Sequence, residues 1–199
     1  MGNPYPPYDE LDPETVDLAR SFLERVGIDC TKPDTEMTPY RLTHYLKYVL
    51  DGGPEPHMTV FNNPDIRVSG LVTMPDIHFW SACSHHCLPF LGIARIGYVP
   101  GAKIIGLSKI PLLVRYIAHG FWMQESVAHA IVDWFCENLS PFGGVGVQIC
   151  ALHTCQLLDL GDPPIPIMYY VTYGGDLSWN DCSYKAEFQA HIAIPPMAF

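Results

Sequence analysis

Positive charge is scarce in this sequence. Its 199 residues carry 11 Lys and Arg against 21 Asp and Glu, a formal net charge of −10, and charged residues of both signs make up only 16% of the chain. A nucleic-acid binder needs a basic patch to displace phosphate counterions, so this balance argues against nucleic acid as a partner. No run of about 20 apolar residues exists, so no membrane-spanning helix is expected. The opening MGNPYPPYDE lacks a basic stretch followed by an apolar one, and Pro6 stands where a myristoylation signal carries Ser or Thr; neither export nor a lipid anchor is expected. Internal repeats and low-complexity tracts are also missing. The seven cysteines are an odd number in a chain too large to need disulfide staples. A reducing compartment, the cytoplasm, is expected, with some thiols in the core and some on metal.

What the chain has in quantity is apolar surface. Hydrophobic residues make up 48% of it, enough for a sizeable core with little charge left to solvate the outside, which points to burial against copies of itself.

The pattern divides at about residue 53. Residues 1–12 are rich in Pro and Tyr and read as an arm. Asp12-Pro13-Glu14 is a helix start, with Asp12 as N-cap and Pro13 in the first turn, and the helix runs to about Val26 before Gly27. Thr38-Pro39 begins a second helix, to about Leu50, followed by Gly52-Gly53. Residues 54–65, with three prolines and two asparagines, form a connector. Two domains are therefore expected: 1–53, an arm with helices, and 54–199. In the second, IRVSGLVTM and IHFWSAC alternate as strands, and ARIGYVP with AKIIGLS reads as a hairpin around Pro100-Gly101. Helices are expected from about Lys109 to His119 and from about Met123 to Leu139. VGVQICALHTC and IPIMYYVTYG are further strands, and YKAEFQAHI is a short final strand or helix. The class is α+β with a mostly antiparallel sheet.

Two thiols and two imidazoles crowd into CSHHCLPF, residues 83–90. Cys83 and His86 have the spacing of two ligands on one ion. A structural zinc site takes four protein ligands, commonly with a second closely spaced pair downstream, and no such pair follows. The downstream candidate is His153-Thr154-Cys155, whose outer residues share one face of a strand. With Cys155 as third ligand the metal would keep an open position, the catalytic arrangement, and His85 and His153 would lie beside it as proton carriers. The alternative is that either histidine is a satisfied polar group of the core.

These motifs resemble the GTP cyclohydrolase I family. Cys83-Ser84-His85-His86-Cys87-Leu88-Pro89 matches its C-E-H-H-x-x-P, IIGLSKI at 104–110 its V-I-G-L-S-K, and Met123-Gln124-Glu125 its V-Q-E. His153-Thr154-Cys155 matches H-x-C, and Thr38-Pro39-Tyr40-Arg41 matches T-P-x-R. The resemblance covers about residues 35–190. It implies a tunnelling fold, an antiparallel sheet with two helices on one face plus N-terminal helices, assembled as a toroidal homodecamer with sites between subunits. Glu125, Arg41 and the zinc would then come from different chains. It implies Zn2+ on Cys83, His86 and Cys155, catalysis by His85 and His153, and a guanine-containing small molecule gripped by Glu125 with Gln124 beside it. The family opens the imidazole ring of GTP, releases C8 as formate and recloses the skeleton as dihydroneopterin triphosphate. The residue types suit that chemistry. Zinc acidifies water, histidines titrate near working pH, and a carboxylate accepts from both N1–H and the 2-amino group of guanine.

The phosphate end departs from the pattern. Arginines expected three residues after the S-K lysine and four after the H-x-C cysteine are Leu112 and Asp159, and a lysine expected three after the T-P-x-R arginine is His44. Ser108, Lys109 and Arg41 remain, and Arg115 is a candidate to compensate. An aspartate in place of arginine reverses the charge facing a triphosphate and removes a bidentate donor. The expectation is a guanine substrate with fewer phosphates or another group there, with Asp159 on a sugar hydroxyl. GTP itself is the alternative. Ser84 replaces the motif glutamate. Two other classes stay open: a nitrile reductase of the same fold, which needs a lone nucleophilic cysteine, and a catalytically silent zinc- and guanine-binding homologue.

Overall fold

The computed structural model describes residues 10–51, 53–140, 144–160, 165–175 and 182–193. Most of the N-terminal arm and Gly52 lie outside them. The chain forms two compact units, 1–53 and 54–199.

The first unit is a helix pair. Helix α1, Pro13–Arg25, begins where Asp12 accepts a hydrogen bond from the Thr15 N–H at 2.9 Å. It ends in a Schellman turn: Gly27 takes φ +99°, Gly27 N donates to Glu24 O at 3.1 Å and Ile28 N to Leu23 O at 2.9 Å. A side chain at 27 would be strained in that left-handed geometry, which is why glycine stands there. Helix α2, Thr38–Asp51, packs on α1, and Val16, Leu23 and Val49 are buried.

The second unit is built on a five-stranded sheet in the order β5-β2-β3-β6-β7: Phe121–Trp122, Val72–Cys83, Pro89–Tyr98, Val145–His153 and Met168–Gly174. All neighbours are antiparallel except β5, which runs parallel to β2. Alternate residues of β6, Val145, Val147, Ile149 and Ala151, face the core that helices α4, Lys109–Ala118, and α5, Gln124–Leu139, complete. Ile110, Leu113, Val114 and Ala118 of α4, and Val127, Ile131, Phe135 and Leu139 of α5, recur at helical spacing on the buried side. The α+β class and the two helices on one face are as the sequence implies.

The opposite face is covered by α7, Cys182–Ile192, so YKAEFQAHI is helical. Gly97 and Gly146, paired across β3 and β6, make room for its Phe188: a Cβ at Gly97 would fall 2.5 Å from that ring.

Four expectations change: residues 54–65, read as a connector, carry a strand, Val60–Asn62, and the start of a short helix, Asn63–Ile66. The two strands read around Pro75 are one, β2, bent by a bulge at which Asp76 takes φ +50° and the register shifts between Met74 and Ile77. Arg95 pins the bulge, its Nε donating to Asp76 Oδ1 at 2.9 Å. The Ile66–Gly70 part of the first stretch is not strand: Ile66 ends the short helix α3, Asn63–Ile66. The hairpin at Pro100-Gly101 does not form. Strand β3 pairs with β2 and β6, whereas β4, Lys103–Ile105, pairs with β1, Val60–Asn62. Asn63 secures that arrangement, its Nδ2 donating to Gly101 O at 2.8 Å and Val68 O at 2.9 Å.

Candidate active site

Strand register builds the site. Ser81 of β2 faces Phe90 of β3, and Phe90 faces His153 of β6. Since β2 and β6 each run antiparallel to β3, they run parallel to each other and end at the same edge. Cys83 and Cys155 lie two residues beyond that row. The ligand atoms of Cys83, His153 and Cys155 all fall within 4.8 Å of one another.

Past Cys83 the chain turns tightly. Cys87 N donates to Cys83 O at 2.8 Å, with Cys87 at φ +57°, and Cys83 N donates to Leu88 O at 2.8 Å. The turn puts His85 Nδ1 4.0 Å and His86 Nδ1 3.9 Å from Cys83 Sγ. Both rings are exposed, while Cys83 is buried. Past His153, Thr154 Oγ1 donates to Pro89 O at 2.6 Å, and Cys155 leads into the short helix α6, Gln156–Leu160, which the sequence reading missed.

Strand β5 delivers the other wall. Ser84 N donates to Trp122 O at 3.2 Å, which sets Met123 and the first turn of α5 beside Cys83. The resulting cavity is lined by Cys83, His85, Glu125, His153 and Cys155, with Met123, Gln124, Gln156 and Met168 completing it. Its volume is about 230 Å³. Glu125 thus shares a cavity with the cysteines of its own chain.

His153 is held on two sides. Its ring stacks on Phe90, with centroids 4.5 Å apart and planes 16° from parallel. Its Nε2 stands 3.0 Å from Gln124 Oε1. Burial pushes the His153 pKa below the ordinary imidazole value, and the Glu125 carboxylate opposes that shift. Cys30, Cys83, Cys136 and Cys150 are free thiols. Burial raises Cys150 and Cys136 above the ordinary thiol value, which marks them as core residues.

Two sulfurs and an imidazole nitrogen this close form a donor set that suits zinc. His153 completes the group of three, and His86 stands near Cys83 outside it. Among the described residues, no lysine or arginine lines the cavity. Ser108 and Lys109 begin α4 and are not among its lining residues. Leu112, one turn on, is 41% exposed. Arg115 donates from Nε to His78 O at 3.2 Å. Arg41 and His44 lie on α2 in the first unit. Asp159 lies in α6, and its side chain is outside the described residues.

A model of the family described as GTP cyclohydrolase I matches residues 16–164. The chain is 36% identical over 150 residues to a protein named GTP cyclohydrolase 1 from Gloeobacter violaceus, covering 74% of this chain and 69% of that one. It is 30% identical over 150 residues to one of the same name from Teredinibacter turnerae, covering 74% and 81%. A third, from Campylobacter jejuni, is 34% identical over 141 residues, covering 70% and 74%. Among solved structures, the apo form of an archaeosine synthase QueF-Like matches with a TM-score of 0.44 and 13% identity, over 55% of this chain and 97% of that one.

Proposed function

The chain belongs to the GTP cyclohydrolase I family, and from that premise we propose a zinc-dependent hydrolase that opens the imidazole ring of a guanine-containing substrate and releases C8 as formate. The observation that carries the reading is one cavity holding both ends of that chemistry: the Cys83 and Cys155 sulfurs with the His153 ring beside them, and the Glu125 carboxylate.

Cys83, His86 and Cys155 would hold the zinc, His86 being an exposed ring already 3.9 Å from the Cys83 sulfur. Held there, zinc would supply a Lewis acid that acidifies water. Glu125 accepts from guanine N1–H and the 2-amino group; adenine offers neither pair, so it is rejected. Burial disfavours the His153 cation and so favours the neutral ring, which can take a proton from the attacking water. His85, exposed at the mouth, serves N7 as that nitrogen leaves C8. Met123 and Met168 offer apolar wall against the purine.

The finer reading concerns the other end of the substrate. Leucine at 112 and aspartate at 159, where the family pattern carries arginines, favour a guanine compound with fewer phosphates than GTP, or with another group in their place. Ser108, Lys109, Arg41 and Asp159 are proposed to meet that part, in an assembly of several copies in the cytoplasm. Incubating zinc-loaded protein with GTP, GDP, GMP, guanosine and the deoxy forms, and following formate and pterin fluorescence, tests both levels. Formate from GTP alone would overturn the altered-substrate reading. Formate from none of them would favour a silent binding homologue.

A further inference from the structure

The resemblance puts Gln124 at the substrate, but its amide is occupied by the protein. Gln124 is 4% exposed. Its Nε2 donates to Ile149 O of β6 at 3.0 Å and to Met168 O of β7 at 3.1 Å. An amide nitrogen has two hydrogens, and both are used. The orientation is fixed by those neighbours: reversing the amide would set its oxygen against two carbonyl oxygens. The atom facing His153 Nε2 at 3.0 Å is therefore Oε1, which can only accept. His153 Nε2 must donate, so it carries the ring's hydrogen. In the neutral ring Nδ1 then has the lone pair. Phe90, fully buried and stacked on the imidazole, holds the plane in which this bond is made.

We infer that Gln124 is a positioning residue whose amide, anchored to two strands, accepts from His153 Nε2 and holds the ring in the Nε2–H tautomer. The inference rests on His153 acting in the reaction proposed above. It separates Gln124 from its neighbour Glu125: Glu125 lines the cavity as a substrate contact, and Gln124 acts through the histidine.

The test uses zinc-loaded full-length protein labelled with 15N-histidine, with His153→Gln to assign its signals by difference. Magic-angle-spinning spectra of the wild type should show hydrogen on Nε2 and none on Nδ1; hydrogen on Nδ1 overturns the inference. Gln124→Met, similar in volume but without donors, should lower kcat about 10–100-fold, as loss of an orienting partner does. KM should stay within about twofold, as no uniform binding is lost. A raised KM at unchanged kcat would instead mark a substrate contact and overturn it. If the variant does not fold, the wild-type spectrum decides alone. If no guanine compound is turned over, the functional reading falls, and the spectrum still reports whether the tautomer is held.

Discussion

The sulfurs of Cys83 and Cys155 lie within 4.8 Å of each other although strand β3 stands between the strands that lead to them. The Ser81–Phe90–His153 row aligns the ends of β2 and β6, and each chain continues two residues to its cysteine. A shift of either strand by one residue would turn its side chains to the other face and separate the pair.

Removing either sulfur should therefore cost the metal. Cys83→Ser and Cys155→Ser should each weaken zinc affinity by about a hundredfold or more, exceeding what loss of an outer partner does. Chelator competition measures this. His85→Asn should retain zinc while losing turnover.

Glu125 is argued to read guanine through two charge-assisted hydrogen bonds. Glu125→Ala should lower kcat/KM by about a thousandfold, given roughly 1.5–3 kcal/mol for each bond, with zinc content unchanged. Steady-state kinetics beside metal analysis separates the two effects.

An arginine at the solvent-exposed position 112 should restore part of a phosphate cradle. Leu112→Arg is expected to raise kcat/KM for GTP about tenfold or more through paired charge-assisted bonds, and to leave guanosine unaffected. Equal change for both substrates would remove the phosphate end from the explanation.

The bulge in β2 depends on an ion pair in which Arg95 is 4% exposed. Asp76→Ala leaves that guanidinium short of its carboxylate and should destabilise the protein by about 3 kcal/mol in urea unfolding. Replacing Arg95 by Met in the same variant should recover part of the loss.

His153 gives a pH dependence of known sign. Its folded pKa lies below the unfolded value of 6.5 because burial disfavours the cation. As pH falls from 6.5 toward the lowered value, the unfolded chain takes up the proton first, so stability falls across that window. Above 6.5 the contribution is fully present. Urea unfolding of metal-free protein across this range should show the decline in the wild type, and His153→Gln should lack it.

Much of the fold was legible because its signals are local. Asp12 and Gly27 bound α1, and apolar residues at helical spacing identify α4 and α5. Pairing was less so. Alternation around Pro100 marks strands but does not say which partner each takes, and an asparagine at 63, distant in sequence, draws the Gly101 backbone toward β1. Pro75-Asp76 looked like a strand break because a bulge and a turn use similar residues. In the site, the Cys and His clusters stood out by type and spacing. The capture of Gln124 by two strand carbonyls did not, because it depends on register across β6 and β7 and no residue near Gln124 in the sequence signals it.

The most direct measurement is X-ray absorption at the zinc edge of the loaded protein. The account predicts two sulfurs, one imidazole nitrogen and one light-atom position that exchanges with added anions. A shell with a third sulfur from Cys87, or with four protein ligands and no exchangeable position, would contradict it.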